Sequence, residues 1–424
     1  MITIADTLTE QNIIVCRLGS SPTANAPGVS TSANILIYDG PLWSVLEIAG
    51  SGSFITYDSA GLAVNAGVIG TSGAWATPPQ AVGWSIWKTN SSSPALTHGA
   101  LWTSASIAPA TDFGLVFRPY GISFRASTQA VDRAKVVGSL GTAAYRMLDN
   151  ASGGIQLPHF DGTTGPSLAW GISPNAARSV GYSSTAVSLW TRPALWVGTS
   201  TPVDLSVNFS AQDIANVRIG EAKAVNDAGV IVGYCSLFLG NGDSIQRPFS
   251  NTGNGALLTT TDWLQVPDGY ANATGEGVAN AVSLVYSGDP PSPVSRASGS
   301  FRATSTVPWQ ATIWGPNGAG IPEAPVDLQT LKRVLDFDPQ SEALGINSKL
   351  RVVGWSGVSA TDPQRKAVFH SGVWKDLNDR HFTHGSGWEL QSAHAISDTD
   401  VIVGVGTLSG SPRGFLLIPR TAGP

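Results

Sequence analysis

A pair of histidines close to two carboxylates is the part of this sequence that most resembles a metal site. His381 and His384 are separated by two residues, with Asp379 before them and Glu389 after them. Imidazole and carboxylate groups are ligands of zinc and similar ions, so the spacing allows a metal centre. The alternative interpretation is a solvated connection between two repeats.

A second stretch resembles half of a calcium-binding turn. The residues 240–244 read Gly-Asn-Gly-Asp-Ser, but the distal glutamate of a helical calcium loop is missing. We therefore expect a polar turn there, and the sequence predicts no cofactor elsewhere.

Three tryptophans lie outside the repeated strands described below and are the candidate ligand-binding residues. Trp87, Trp309 and Trp388 lie in or beside the segments 85–97, 286–310 and 379–391, next to Asn, Asp and Ser residues. Aromatic side chains in such segments are what a sugar-binding or protein-binding surface uses. The alternative is that each ring packs against its own repeat.

Local signatures of catalysis are absent from the sequence. There is no G-x-S-x-G, H-E-x-x-H or phosphate-binding G-x-x-x-x-G-K-S/T pattern, and the sialidase box Ser-x-Asp-x-Gly-x-x-x-Trp is missing. A propeller glycosidase whose carboxylates come from separate repeats would leave no local motif, so this class of enzyme stays open.

Composition and charge narrow the classes of partner. Charged residues make up 12% of the 424 residues, against the roughly 25% usual for soluble domains, and the formal net charge is −5. No basic cluster suits a phosphate backbone, and no apolar run is long enough to span a bilayer. We therefore expect neither a nucleic-acid partner nor membrane insertion, and the first ten residues lack the pattern of a Sec signal peptide.

One unit returns along the chain, and its clearest copies are Ala222–Tyr234, Ala343–Trp355 and Ala393–Val405. Each copy has a polar turn, a short β-branched run and a glycine, which is typical of a hairpin and too short for a helix. The valines before the glycine position give eight copies, with gaps of roughly 43 to 68 residues as in propellers: Val15, Val82, Val137, Val180, Val232, Val285, Val353 and Val403. In the first copy Cys16 replaces the glycine.

Apolar runs with an aromatic residue and short Asp-Leu segments add a third and a fourth strand to the unit. The prediction is therefore a single all-β domain, 1–424, forming a closed β-propeller of about eight four-stranded blades, with seven as the alternative. The repeat units are 9–50, 60–114, 119–160, 168–208, 220–265, 274–330, 342–378 and 391–420. We expect the glycine to let a neighbouring blade or a tryptophan approach closely.

The last unit lacks its own fourth strand, and the segment Met1–Leu8 is the predicted N-terminal strand that completes it and closes the ring. Cys16 and Cys235 would then lie on opposite sides of the ring, so both thiols are expected to be free.

The order Gly345-Ile-Asn347, Val352-Val-Gly354-Trp355, Lys366-Ala-Val-Phe369 and Gly372–Asn378 resembles the HAF repeat, a bacterial family described as an extracellular repeat. The resemblance implies a propeller-like β fold in a secreted or surface setting. It implies no catalytic residues, because the matching positions belong to the scaffold.

The favoured hypothesis is a non-catalytic interaction scaffold, extracellular or on a virus particle, that binds a protein or glycan surface through loops of the blades. The low charge and the abundance of Gly, Ser, Thr and Pro favour it. Two alternatives stay open: a structural subunit of a larger assembly, such as a virion or surface appendage, and a carbohydrate-active enzyme with its carboxylates at the central channel.

Overall fold

The computed structural model is all-β, with sheets in a propeller-like ring, as the repeats predict. It describes residues 3–4, 14–19, 32–37, 42–48, 55–66, 68–69, 75–88, 96–103, 106–114, 116–124, 133–160, 165–185, 188–209, 215–239, 243–252, 261–264, 275–287, 292–302, 307–315, 326–327, 340–361, 364–372, 374–379 and 387–420.

A small antiparallel sheet comes first in the chain. It contains β1 (Thr3–Ile4), β2 (Ile14–Gly19) and β3 (Ser32–Ile37). The next strand, β4 (Leu42–Ile48), lies close to β3 but pairs with the last strand of the chain.

Seven four-stranded units follow in the described part of the chain, and we number them blades 1 to 7. Blade 1 contains β5 (Ile55–Val64), β8 (Gln80–Lys88), β9 (Leu96–Thr103) and β10 (Ser106–Gly114), with a small ladder of β6 (Val68–Ile69) and β7 (Trp75–Thr77) after its first strand. Blade 2 contains β11 (Phe117–Ile122), β12 (Lys135–Leu140), β13 (Ala143–Leu148) and β14 (Ile155–Gln156). Blade 3 contains β15 (Ser167–Ile172), β16 (Arg178–Thr185), β17 (Ser188–Val197) and β18 (Val203–Asp204), and the 3-10 helix Leu205–Asn208 follows.

Blade 4 contains β19 (Val217–Val225), β20 (Val230–Phe238), β21 (Ser244–Thr252) and β22 (Thr261–Trp263). Blade 5 contains β23 (Glu276–Ser287), β24 (Ser292–Arg302), β25 (Gln310–Trp314) and β26 (Val326–Asp327). Blade 6 contains β27 (Gln340–Ile346), β28 (Val352–Gly357), β29 (Lys366–His370) and β30 (Trp374–Asp376). Blade 7 contains β31 (Trp388–Ile396), β32 (Ile402–Leu408), β33 (Ser411–Arg420) and β4.

The blades form a closed ring. The first strand of each blade lies against the first strand of the next, and the first strand of blade 7 lies against that of blade 1. Blades 3 and 4 are joined into one eight-stranded sheet by the single parallel pair Thr191 and Ile219. Seven buried apolar clusters each span two neighbouring blades, so every seam has its own core, including the seam between blades 7 and 1.

One glycine in the second strand of each blade marks the repeat. A methyl group added at Gly233 would lie 2.0 Å from the carbonyl oxygen of Glu221, and one at Gly354 would lie 1.8 Å from that of Glu342. The same approach occurs at Gly83, Gly138, Gly181, Gly299 and Gly404. The close neighbour is thus the carbonyl of the adjacent strand in the same blade, beside a β-bulge, and not a tryptophan or another blade as predicted.

The prediction of eight blades is wrong, because the first repeat does not form a blade. Cys16 pairs with Ile4 and Ile35 in the small sheet, and no register shift interrupts those ladders. Without the bulge there is no carbonyl that requires a glycine, and the sequence has none there. In blade 5 the glycine position is Gly299, so the landmark predicted at Val285 lies on the wrong strand.

The prediction of the closing segment is also wrong in its residues. A segment near the N-terminus supplies the fourth strand of blade 7, but it is β4, whose residues from Leu42 to Ile48 pair with β33. The predicted segment Met1–Leu8 contributes only β1, which pairs with β2.

Most repeat tryptophans pack between blades, as their positions predict. Trp102, Trp196 and Trp314 are fully buried in the seam clusters, and Trp355 is buried as well. Cys235 is a free, buried thiol, and burial raises its pKa.

Replacing one of these glycines should destabilise the ring more than replacing a turn glycine. We expect Gly354→Ala to lower the free energy of unfolding by about 3 kcal/mol, because the new methyl group meets a backbone carbonyl that cannot move alone. Gly141→Ala is the control: its φ is 61° and no atom lies within 4 Å of the added methyl group, so only a backbone cost of about 1 kcal/mol is expected. Equal losses in denaturant unfolding would contradict this account.

Truncation should separate the closing strand from the rest of the N-terminal region. A chain that begins at residue 9 or at residue 38 keeps β4 and should keep its thermal midpoint within a few degrees. A chain that begins at residue 49 lacks the strand that covers the outer edge of β33 and should unfold at a clearly lower temperature and be cleaved faster by protease. A large drop in thermal midpoint on removing residues 1–8 would instead support Met1–Leu8 as the closing strand.

Candidate functional site

On one face of the ring, polar groups of the turns form hydrogen bonds between neighbouring blades. The turns between first and second strands lie on one face, which we call the turn face. There Asn65 donates to the carbonyl of Ser123 in blade 2, the backbone N–H of Asn175 donates to Asp227 in blade 4, and Asn347 donates to the carbonyl of Ser397 in blade 7. These bonds connect neighbouring blades, so the turn residues that recur in the repeat have a structural role.

The turn of blade 4 also explains its predicted glycine. Gly229 has a φ of 84°, and its N–H donates to the carbonyl of Asn226, as expected for a tight hairpin turn. Ala176 and Leu350 take the same left-handed conformation in blades 3 and 6.

The first strands of successive blades contact one another and so lie nearest the axis of the ring, and a β-bulge adds one extra residue to each of them. Each first strand has a register shift opposite its marker glycine, and the extra residue lies between two small residues. We call these seven residues the bulge ring: Leu62, Tyr120, Trp170, Lys223, Asn280, Leu344 and His394. All are half-buried, whereas the marker glycines opposite them are buried. The seven residues differ widely in type, from leucine to tryptophan, lysine and histidine.

In blades 2 to 4 the bulge ring is aromatic and charged. The rings of Tyr120 and Trp170 meet edge to face with their centroids 4.7 Å apart. The amino group of Lys223 lies 3.9 Å from the centroid of the Trp170 ring and 2.5 Å from the carboxylate of Glu221. The three bulge residues therefore form a continuous contact from one blade to the next, which we call the axial cluster together with Glu221.

Tyr234, on the second strand of blade 4, completes the surroundings of Glu221. Burial, and then the negative charge of Glu221, raise the pKa of Tyr234, whose hydroxyl hydrogen-bonds to that carboxylate. Burial also raises the pKa of Tyr182 in blade 3. Both phenols are therefore neutral hydrogen-bonding groups near neutral pH.

A second carboxylate occupies the same register position in blade 6. Glu342 accepts hydrogen bonds from the indole N–H of Trp355, at 2.9 Å, and from the side-chain amide of Asn280, at 3.0 Å. Asn280 also donates to the carbonyl of Ala343, and His394 contacts the equivalent carbonyl of Gly61 at 3.0 Å. On this side of the ring the bulge residues thus bond to the next blade.

Of the three tryptophans predicted as ligand-binding residues, the structure describes the side chains of Trp309 and Trp388. Trp87 lies in the strand β8, not in a loop, and its side chain is outside the described residues. Trp388 begins β31, is 7% exposed and meets Phe415 edge to face in the core between blades 6 and 7. Trp309 is half-buried, and the guanidinium of Arg302 lies 4.7 Å from its ring centroid.

The predicted metal residues His381 and His384 lie outside the described residues. Glu389, which the prediction placed beside them, binds the amino group of Lys366 at 2.8 Å. Within the described ranges, no three His, Cys, Asp or Glu side chains form a group suited to a metal ion. No helix in that part of the chain is long and apolar enough to cross a membrane.

One signal for the axial cluster is present in the sequence itself. In the repeat the bulge residue is the variable position between two small residues, as in Ala222-Lys-Ala224 and Ala393-His-Ala395. Only the register of the strands shows that all seven such positions are bulge residues of a first strand.

Comparison with known proteins adds little to this description. No protein-family model and no curated protein matches the chain, so the HAF resemblance stays a prediction. Similar solved structures include Trypanosoma rangeli sialidase, 12% identical over 89% of this chain and 59% of that chain with a TM-score of 0.36, and its complex with the inhibitor DANA, 10% identical over 92% and 57% with a TM-score of 0.35. The chain thus spans less than three fifths of their length, and likenesses at these scores indicate neither activity nor ligand.

His394 should make the seam between blades 7 and 1 sensitive to acid. Burial lowers its pKa from 6.5 to about 4, although the contact with the Gly61 carbonyl favours protonation. Since the unfolded chain takes up this proton below about pH 6.5 and the folded chain only near pH 4, stability should fall as the pH falls through that window. His394→Asn can keep a donor toward Gly61 without titrating, so its thermal midpoint should fall less over the same range. Identical pH profiles for the two proteins would refute this role.

Proposed function

We propose that this chain is a non-catalytic binding scaffold whose ligand is a glycan held at the axis of the ring by the axial cluster. The observation that carries the proposal is the row of Tyr120, Trp170 and Lys223 with Glu221, contributed by three successive blades at equivalent positions. The extracellular or virion setting expected from the composition and the HAF resemblance is part of the same proposal.

The chemistry of these groups suits a sugar. Pyranose rings present C–H groups that pack against aromatic rings and hydroxyl groups that need charged or polar partners, and small-molecule sites combine both kinds of surface. Trp170 and Tyr120 supply the aromatic surface. Glu221 supplies an acceptor and Lys223 a donor, and both side chains keep part of their surface exposed.

The indole N–H of Trp170 gives further support. It is buried and has no hydrogen-bond acceptor among the described residues. A buried donor without a protein acceptor can pair with a water molecule or with a ligand hydroxyl.

Binding without catalysis is favoured by the surroundings of the two carboxylates near the axis. Most glycoside hydrolases need one protonated carboxyl group and one ionised partner. Glu221 faces the Lys223 amino group and the Tyr234 hydroxyl, and Glu342 faces two N–H donors. Each carboxylate is thus already engaged by hydrogen-bond donors of the protein itself.

A glycan array with purified protein tests the proposal. We expect the wild-type chain to bind at least one glycan class at micromolar concentration, and Trp170→Leu and Lys223→Met each to weaken that binding about tenfold or more. Lys375→Met is the matched control, because Lys375 is exposed on the outer strand of blade 6. Thermal midpoints of all variants separate lost binding from lost folding, since a purely structural cluster would lower the midpoint without a specific loss of affinity.

Three other results would contradict the proposal. If the folded wild-type protein binds no glycan on the array, the proposed glycan ligand is wrong. Cleavage of a bound glycan, abolished by Glu221→Gln or Glu342→Gln, would replace the scaffold with the carbohydrate-active enzyme. Native mass spectrometry showing only large assemblies, with no glycan binding, would favour the structural-subunit alternative.

A further inference from the structure

A second surface lies where blades 3 and 4 share one sheet, away from the bulge ring. Arg218 precedes the parallel pair of Thr191 and Ile219, and its guanidinium carbon lies 3.6 Å from the ring centroid of Trp190 and 5.4 Å from that of Phe238. Trp190 is 39% exposed and Ile219 is 48% exposed. We call Trp190, Arg218, Ile219 and Phe238 the seam patch.

The seam patch belongs to strands and not to loops. Trp190 is the third residue of β17, Arg218 is the second residue of β19, and Phe238 ends β20. All three positions are at the ends of strands opposite the turn face, because β19 and β20 meet at their turn around Asn226. The ladders formed by these strands fix the backbone positions from which the side chains extend, so the patch is largely preorganised in the free protein.

Arg218 differs from the other arginines with comparable surroundings. Arg133, Arg192, Arg302 and Arg351 each pair with an Asp or Glu carboxylate. Arg302 also lies over a tryptophan, Trp309, but its charge is matched by Glu276. For Arg218 the described residues provide stacking and no carboxylate.

A guanidinium that is stacked on an aromatic ring keeps its edge free for hydrogen bonds. The N–H groups along that edge match the two oxygens of a carboxylate, and stacking fixes the plane in which they point. A carboxylate bound there would form the ion pair that Arg218 does not form within the described chain.

The residues around Arg218 decide which kind of acid fits. Ile219 presents branched aliphatic surface and Trp190 presents an indole, and both remain partly in contact with solvent. Covering them stabilises a complex when the partner is apolar, whereas sugar hydroxyl groups would be desolvated against Ile219 without gaining hydrogen bonds. The surroundings favour an aliphatic or aromatic side chain next to the acid.

We propose that the seam patch docks an acidic peptide segment of a partner protein, with an Asp or Glu carboxylate on Arg218 and a neighbouring apolar side chain against Trp190 and Ile219. This inference goes beyond the glycan proposal and does not depend on it. It assigns protein binding to a surface that the sequence analysis did not identify, since Trp190 and Arg218 belong to no motif.

Selection from a random peptide library, followed by fluorescence anisotropy with the selected peptides, tests the seam patch. We expect enrichment of Asp or Glu beside an apolar residue, and a loss of affinity of about tenfold or more when that acid is changed to Asn or Gln. Arg218→Met should cause a similar loss. Arg218→Lys should recover only part of the affinity, because an ammonium group neither stacks nor binds in a bidentate manner. Binding should also weaken as salt is raised.

Control variants separate this surface from the axial cluster. Lys375→Met should leave peptide binding unchanged, and so should Trp170→Leu, even if that variant has lost glycan binding. Peptides that bind equally well to Arg218→Met, a library that yields no acidic consensus, or capture by this patch of uronic-acid oligosaccharides alone would overturn the proposal.

Discussion

The close contact between one glycine and one carbonyl in each blade is the constraint on which the rest of the ring depends. The first strand carries one extra residue at its bulge, and a carbonyl just before the bulge lies where a side chain of the second strand would be. Only glycine leaves that space open. The bulge in turn bends the first strand and turns one extra side chain toward the axis. Scaffold and candidate site therefore arise from the same local feature.

The seams between blades follow from the small residues that flank each bulge. A methyl group at Gly171 would lie 2.7 Å from the carbonyl oxygen of Lys223, and one at Gly345 would lie 3.0 Å from the Cα atom of Ala395. Small residues let successive first strands approach one another, and the apolar side chains farther out then fill the widening space between blades. Buried serines add specific bonds, since Ser59, Ser167 and Ser341 each accept a backbone N–H from the third strand of the preceding blade.

The two candidate surfaces lie where the fold constrains the backbone but not the type of side chain. On the turn face, Asn65, Asn175 and Asn347 take part in hydrogen bonds between blades. The bulge ring is constrained in its backbone but varied in its side chains, from leucine to lysine, asparagine and histidine. The seam patch lies at strand ends, where the shared sheet of blades 3 and 4 holds Arg218 over Trp190. Both surfaces combine a rigid backbone with side chains that the fold itself does not require.

The sequence by itself determined the class of fold, because turn residues, short β-branched runs and a recurring glycine are local requirements of a hairpin with a bulge. It also determined the packing role of the repeat tryptophans. The cysteine at position 16 is the local sign that the first copy has no bulge, since a bulge of this kind requires a glycine there.

Only the tertiary structure decided which N-terminal segment closes the ring, and which side chains meet. Met1–Leu8 and Leu42–Ile48 are both apolar enough to form an edge strand, and only the pairing with β33 shows which of them is used. Tyr120, Trp170 and Lys223 are separated by about fifty residues each and belong to no common motif. They meet because successive blades place equivalent bulges side by side around one axis. No local sequence pattern specifies this relation between distant strands.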